Sequence, residues 1–428
     1  MKAVTYSKLS IMMVLQYAVW GIWLPVIASY LQSQTDKGGL GFTPGQVAWI
    51  LGSAGSIGAV TSPFIAGQIA DRWFSAERFL AVLLLLGSII KWVTAYCTDF
   101  SAWLILSILY SILFMPTLAL TNSIAFSHID NPNTQFPRIR MWGTIGWILA
   151  SWIFPMVWLQ SNLHFSWLPP FLVGDELPDS ISRLVDSMKI AGVTSILYAG
   201  FCLCLPNTPP KRDSVEPLAF RKAFGLFHHK SFAVLVIASL IISVIHQIYF
   251  VETAPFFQSI GLRPSSIGPA MSIGQFAEFT IIIFLGWMLT KFGFKWTLFL
   301  GCMAYVLRYA IFSATFLPTW VIVTSQLFHG FCYACFFAVS YIYVDRLAAH
   351  DIRHSAQTVF SIIILGIGPV LAAPTVVILS RFCQGATAGD LNFSRMWLLI
   401  SALGALTAFI IATCFKDETK NSLPAVED

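Results

Sequence analysis

The stretch Leu9-Ser-Ile-Met-Met-Val-Leu-Gln-Tyr-Ala-Val-Trp20-Gly-Ile-Trp-Leu-Pro-Val-Ile-Ala-Ser-Tyr30 contains no charged side chain. About 20 consecutive apolar residues are enough for a helix to cross the hydrocarbon of a bilayer. This run is too long for the core of a secretory signal, and no small-residue cleavage pattern follows it. It therefore predicts a retained first transmembrane helix.

Eleven further apolar runs of similar length follow along the chain. Hydrophobic residues make up 57% of the sequence and charged residues only 11%, a composition that indicates lipid as the solvent. In hydrocarbon a helix satisfies its own backbone hydrogen bonds, and the short alternating segments of a membrane barrel are absent. We therefore predict an all-α membrane protein with twelve transmembrane helices. The eleven runs lie at about 44–70, 77–98, 101–128, 138–160, 185–206, 230–253, 264–290, 296–316, 318–345, 354–380 and 393–415.

A basic loop near the middle divides these runs into two sets of six. We predict an N-terminal bundle at 1–206, a linker loop at 207–230, a C-terminal bundle at 231–415 and a tail at 416–428. Two such bundles are typical of a transporter. Most of the 25 lysine and arginine residues lie on cytoplasmic segments if the N-terminus is inside, so both termini are predicted to be cytoplasmic. The net charge of +5 reflects this bias and does not indicate nucleic-acid binding.

Motifs of enzymes and cofactor sites are missing from the sequence. It contains no Walker loop, dinucleotide fingerprint or zinc motif, so we expect no enzyme activity, no cofactor and no metal. Cys332-Tyr-Ala-Cys335 has the spacing of a redox or metal pair. It lies in an apolar run without a second pair, so we interpret both cysteines as small packing residues.

A turn motif ends the second run, in Gly67-Gln-Ile-Ala-Asp71-Arg72, and a degenerate copy ends the eighth, in Gly286-Trp-Met-Leu-Thr-Lys291-Phe-Gly293. The motif resembles the signature of the major facilitator superfamily, whose fold is two six-helix bundles. The glycine permits close helix approach, and the charged pair can bind a helix end or partner charges. We expect Gly67, Asp71 and Arg72 to form a gating turn, the alternative being that they merely finish a span.

Polar side chains inside apolar runs are costly, so each is a functional candidate. Glu278 lies near the middle of the eighth run, and Gln275 shares its helix face. A low dielectric favours the neutral form of an unpaired carboxylate, which suits a group that loads and unloads a proton. The alternative is a permanent ion pair between Glu278 and Arg308 of the next run.

Two other runs carry polar groups that matter here. Gln247 in the seventh run and His329 in the tenth are predicted at similar depth. His246 is interpreted as a hydrogen-bonded packing residue. Glu252 falls near the outer end of its run and is expected to be hydrated.

The fifth run begins with Phe136-Pro-Arg138-Ile-Arg140-Met-Trp-Gly143-Thr144-Ile-Gly146-Trp147. Arg140, Thr144 and Trp147 are spaced i, i+4 and i+7, so one helical stripe carries a guanidinium, a hydroxyl and an indole. A planar polar ring could stack on this surface and accept its hydrogen bonds. The alternative is that Arg138 and Arg140 are topology anchors and Trp147 faces lipid.

With further motifs along the chain, this stretch resembles the nucleoside:proton symporter family of the major facilitator superfamily. Those motifs are Gln16-Tyr-Ala-Val-Trp20-Gly-Ile-Trp23, Met115-Pro-Thr-Leu-Ala-Leu-Thr-Asn122, Leu205-Pro-Asn-Thr-Pro-Pro210, Gly274-Gln275-Phe-Ala-Glu278 and Tyr341-Ile-Tyr-Val-Asp345. The resemblance implies a monomeric importer of the bacterial inner membrane, whose partners are a nucleoside, a proton and lipid. It implies alternating access, with Glu278 carrying the proton.

The resemblance also implies a binding site, formed by Arg140, Thr144, Trp147, Gln247, Gln275, Glu278, His329 and Tyr333. Two positions depart from the family pattern, because Phe250 replaces a frequent asparagine and Ala334 replaces a frequent aspartate. The second departure removes a carboxylate linked to proton coupling. Two alternatives stay open: another facilitator of this fold, such as a sugar:proton symporter, and a sensor that binds ligand without moving it.

Overall fold

The computed structural model of the chain describes residues 3–65, 74–167, 169–209, 224–348, 352–385 and 391–418. The predicted gating turn, Gly67, Asp71 and Arg72, lies outside these residues. Helices dominate the described part, as the composition predicts.

Eight helices of the described residues precede the central loop. They are α1 Ala3–Gly21, α2 Leu24–Gln32, α3 Pro44–Ile65, α4 Ala76–Ala95, α5 Phe100–Ser127, α6 Pro132–Trp158, the short α7 Ser180–Arg183 and α8 Asp186–Cys202. The first predicted span is broken between α1 and α2, where Pro25 near the start of α2 has no amide hydrogen to continue the helical pattern. The Asp99 carboxylate accepts a hydrogen bond from the Ala102 amide at 3.0 Å and so caps α5.

A β-hairpin lies between α6 and α7, which corrects the prediction of an all-α chain. Strands β1 Gln160–Phe165 and β2 Leu172–Glu176 pair antiparallel, with Gln160 opposite Glu176. Exposed strand edges are excluded from hydrocarbon but not from a loop that water can reach. The two strands are too short to cross a membrane, and the apolar runs that predict the spans carry no signal for a hairpin in a loop.

After the central loop the chain forms long helices with irregular turns. They are α9 Lys230–Ser259, α10 Pro264–Ser313, α11 Thr319–Thr324, α12 Phe328–Phe331, α13 Val339–Leu347, α14 Arg353–Ser361, α15 Gly368–Phe382 and α16 Phe393–Cys414. Two π-helical segments, Cys332–Ala338 and Ile362–Ile367, interrupt the tenth and eleventh predicted spans. Within α10, Gly293 has φ 70° and ψ 178°, a conformation that suits glycine, and it separates the predicted eighth and ninth spans.

Nine helices of the described chain are long and apolar enough to cross a membrane. One of them, Pro264–Ser313, covers two predicted spans, and the 17-residue α8 matches a further predicted span. The count of twelve therefore stays a prediction.

The chain divides into two compact units. The first comprises Met1–Ser214 and Phe250–Ser272, and the second comprises Val215–Tyr249 and Ile273–Asp428. The first unit has a buried apolar core in which α1 residues such as Met12 and Met13 pack with Leu80 and Leu83 of α4. In the second unit α16 packs on α10, and Ser401 Oγ donates to the Val306 carbonyl at 2.9 Å. The proposed bundle boundaries at 1–206 and 231–415 stay predictions.

Candidate functional site

In the first unit, α1 and α6 are in close contact through glycines. A Cβ atom at Gly143 would lie 2.5 Å from Cδ2 of Tyr17, and one at Gly21 would lie 2.7 Å from the Trp147 carbonyl oxygen. Gly146 likewise faces the Val14 backbone. The small surfaces that the sequence places on α6 thus bring the predicted stripe against α1.

This contact assembles the first-unit cluster, defined as Tyr17, Trp20, Arg140, Thr144 and Trp147. The Arg140 guanidinium carbon lies 4.0 Å from the centre of the Tyr17 ring. The rings of Trp20 and Trp147 meet edge to face, with 5.6 Å between centroids and 82° between planes. All five side chains are half-buried, so the surface combines a cation, a hydroxyl and aromatic faces. Such a surface can stack a planar ring and donate to its oxygens.

A buried amide lies beside the first-unit cluster. Gln16 of α1 is fully buried, and its Nε2 donates to Thr117 Oγ1 at 2.8 Å. Pro116 precedes that threonine inside α5. The Gln16 contact therefore ties α1 to α5 at the proline.

Sequence reasoning assigned no role to Lys91, although its position inside an apolar run was a signal. Its Nζ lies 3.3 Å from the centre of the Trp23 ring, 4.0 Å from that of Tyr110 and 3.4 Å from Met188 Sδ. The lysine is buried, and two aromatic faces replace part of its hydration. This enclosure joins α4, α5 and α8 to the break between α1 and α2.

The second unit has its own polar group inside apolar helices. We define the second-unit cluster as His246, Tyr249, Tyr305, Arg308 and His329. His246 Nδ1 lies 2.9 Å from the Tyr305 hydroxyl, in agreement with its interpretation as a hydrogen-bonded residue. Its ring also stacks on His329, with 5.5 Å between centroids and 21° between planes. The Arg308 guanidinium carbon lies 4.0 Å from the centre of the Tyr249 ring.

Arg308 determines the hydrogen bonding of His329. Arg308 Nη1 lies 2.9 Å from His329 Nδ1, and a guanidinium only donates, so Nδ1 accepts and the imidazole proton is on Nε2. In the described part of the chain, Nε and Nη2 of Arg308 have no hydrogen-bond partner. The Arg308 guanidinium therefore lies against His329 and the Tyr249 ring.

Two glycines bring His329 to the segment of α10 that carries Gln275 and Glu278. A Cβ atom at Gly274 would lie 2.9 Å from His329 Cβ, and one at Gly330 would lie 2.6 Å from the Glu278 amide nitrogen. Gln275 and Glu278 are half-buried. Three of the predicted second-half residues are therefore neighbours in the folded chain.

The other predicted second-half residues lie on α9 and on the π-helical segment. Gln247 is half-buried on α9. Tyr333 is 38% exposed, and its ring centroid lies 5.9 Å from that of Phe337. Ala334, where the family often has an aspartate, is fully buried. The π-helical turn around these residues is a feature often found at functional sites, and no sequence pattern predicts it here.

The expectation that Glu252 is hydrated is wrong. Its side chain is 0% exposed, and neither carboxylate oxygen has a hydrogen-bond partner among the described residues. The C-terminal part of α9 is covered by other segments of the first unit, among them α2, whose Gln32 Nε2 donates to the Val251 carbonyl at 3.1 Å. A position near the end of an apolar run does not show whether neighbouring segments exclude water.

Comparison with known proteins shows the family of the chain that carries these two clusters. The family model described as nucleoside H+ symporter matches residues 3–420. The chain belongs to the nucleoside:proton symporter family. The symporter is 31% identical to YegT of Escherichia coli, over 99% of this chain and 96% of that protein. It is 27% identical to the nucleoside permease NupG of Escherichia coli, over 96% of this chain and 95% of the permease.

A solved structure supports the same assignment. A crystal structure of a mutant of the nucleoside transporter NupG superposes on the symporter with a TM-score of 0.83 at 26% identity, covering 96% of this chain and all of that one. Together with the long apolar helices, these similarities identify a transporter with the major facilitator fold and a multi-pass protein of the bacterial inner membrane.

Proposed function

We propose that this symporter imports nucleosides together with protons by alternating access. The observation that carries the proposal is the first-unit cluster, in which the Arg140 guanidinium and the Trp147 indole lie beside Tyr17 and Trp20. A nucleobase offers a flat face for stacking and carbonyl oxygens for a cation to bind, and its ribose offers hydroxyls for Thr144. Sequence similarity to a nucleoside permease supports the same substrate class.

In the second unit, we assign nucleoside contacts to Gln247, Gln275, Glu278, His329 and Tyr333. The amides can donate to and accept from a base edge, and His329 offers Nε2–H because its Nδ1 is occupied by Arg308. We assign the coupled proton to Glu278, a carboxyl in the middle of an apolar helix. A carboxyl that is protonated on one side of the membrane and ionised on the other links proton entry to the conformational cycle.

The arrangement in the membrane is part of the proposal. We propose twelve transmembrane helices in two six-helix bundles, with cytoplasmic termini and a cytoplasmic linker loop. We also propose that the protein is a monomer and has no enzyme activity. The lysine and arginine distribution supports the orientation. We assign the gating role to Gly67, Asp71 and Arg72 from the sequence motif alone.

The test is uptake of radiolabelled uridine and adenosine into proteoliposomes, with and without an inward pH gradient. We expect both to accumulate only when the gradient is present, and free nucleosides to compete. Inhibition by free ribose or disaccharides, without inhibition by nucleosides, would indicate a sugar symporter instead. Saturable binding without uptake under any gradient would indicate a sensor.

A further inference from the structure

Glu252 is a buried carboxyl that the proposed site does not use. It lies on α9, in the segment that belongs to the first unit, and its side chain is 0% exposed. Both of its oxygens lack a hydrogen-bond partner among the residues with described positions. An ionised carboxylate without water or donors is strongly destabilised, so this environment accommodates the neutral acid.

One polar side chain of a neighbouring helix acts on the Glu252 carboxyl. The group that acts on the carboxyl from the packed helix α2 is the Gln32 amide, and no charged side chain in the described part of the chain does so. The neighbouring Thr253 hydroxyl is also buried and has no hydrogen-bond partner among the residues that the structure describes. Gln32 itself is half-buried at the end of α2. The partly exposed Gln32 side chain therefore lies between the buried Glu252 carboxyl and the surface.

We propose that Glu252 is a second proton-binding residue of the symporter, in addition to Glu278. In the conformation described here the carboxyl holds a proton taken from water. When the transport cycle admits water to this end of α9, the proton passes to a water molecule and the carboxylate remains hydrated. The inference rests on the proposed proton symport and adds a carrier to it.

A purely structural role fits the geometry less well. A buried carboxyl that stabilises a fold does so through well-formed hydrogen bonds or an ion pair. Within the described residues Glu252 makes no ion pair, and the Gln32 amide beside it donates to the Val251 carbonyl, so neither carboxylate oxygen has a hydrogen bond of normal geometry. Membrane-embedded acids without such partners are typical of proton pathways.

The experiment measures steady-state uridine accumulation in proteoliposomes with a fixed pH gradient and the membrane potential clamped at zero. With a gradient of one pH unit, each coupled proton raises the maximum accumulation ratio about tenfold. We expect Glu252→Gln, which keeps the shape of the neutral acid, to lower that ratio by about this factor, with unchanged gradient-free uridine counterflow. Glu252→Asp retains a titratable group, and we expect it to accumulate uridine more strongly than the glutamine variant.

The matched control is Asp175→Asn, which removes an exposed carboxylate of the hairpin and should accumulate uridine as the wild type does. Wild-type accumulation in Glu252→Gln would overturn the inference, as would loss of counterflow together with accumulation. If the wild type itself shows counterflow but no gradient-driven accumulation, the proposed proton symport fails rather than the role of Glu252.

Discussion

Arg308 of α10 donates from Nη1 to Nδ1 of His329 across 2.9 Å, and both side chains are buried. An arginine keeps its charge, so the imidazole is held with its proton on Nε2. Protonation of Nδ1 would break this contact and place two cations side by side. The pair therefore fixes the orientation of a predicted substrate-binding residue and leaves Glu278 as the titrating group of the second-unit site that we propose.

The Arg308–His329 pair predicts a difference between two substitutions. His329→Leu leaves the buried guanidinium without its acceptor, and we expect a loss of stability on the order of 3 kcal/mol. His329→Asn places an amide oxygen near the position of Nδ1, and we expect most of the stability to remain. Thermal unfolding in detergent checks this. Equal melting temperatures for the two variants would contradict it.

The first-unit cluster predicts that Arg140→Ala and Trp147→Ala weaken nucleoside binding while membrane insertion stays intact. Stacking and charged hydrogen bonds are each worth about 1–3 kcal/mol, so the affinity should fall about tenfold or more. Isothermal calorimetry with uridine measures this effect. Arg138→Ala is the matched control, because Arg138 is an exposed arginine on the same helix and should bind normally. Unchanged affinity in both cluster variants would exclude the site.

The alanine at position 334 leads to a prediction about proton coupling. If the family's carboxylate is needed for full coupling, Ala334→Asp should make uptake depend more strongly on the pH gradient. The new side chain would be placed in a fully buried position of the π-helical segment. Ala334→Asn, similar in size but unable to titrate, is the control. Identical gradient dependence in wild type and aspartate variant would show that coupling does not run through this position.

Glu278→Gln separates charge from shape, because glutamine keeps hydrogen bonding but cannot titrate. If Glu278 carries a proton, gradient-driven accumulation should fall by about tenfold for each pH unit of the gradient, while exchange without a gradient partly survives. Since Arg308 bonds to His329, we expect the variant to stay folded. Accumulation, counterflow and melting temperature are measured on the same preparation. Wild-type accumulation in a folded variant would exclude Glu278 as the coupling residue.

The hairpin predicts a pH-dependent stability. Glu176 accepts hydrogen bonds from the Ser265 hydroxyl at 2.5 Å and the Ser265 amide at 3.3 Å. Burial nevertheless raises the pKa of the Glu176 carboxyl above its ordinary value of 4.5. The folded protein then binds this proton more tightly than the unfolded chain, so the contribution of Glu176 to stability is greatest at low pH and decreases as the pH rises above 4.5.

Glu176→Gln removes that titration. We expect its melting temperature to fall less than that of the wild type between about pH 4 and pH 7. Asp175→Asn, on the adjacent exposed position, should retain the wild-type profile. Parallel profiles for wild type and Glu176→Gln would show that this carboxyl does not contribute.

The membrane class, the family and the stripe of Arg140, Thr144 and Trp147 follow from the amino-acid sequence alone. These properties depend on local spacing: apolar run length sets what can cross hydrocarbon, and residues i, i+4 and i+7 share a helix face in any fold. Gly143 and Gly146 also indicated close helix contact, although not that α1 would be the partner.

The partners of the buried polar groups, in contrast, became known from the folded structure. It showed that Arg308 bonds to His329, that aromatic rings enclose Lys91 and that Glu252 is shielded from water. It also showed the hairpin between α6 and α7. The contacts of Arg308, Lys91 and the Glu252 segment join different helices, and burial of a side chain depends on which segments cover it. Local periodicity carries no information about that choice, so the same glutamate could have been hydrated or enclosed.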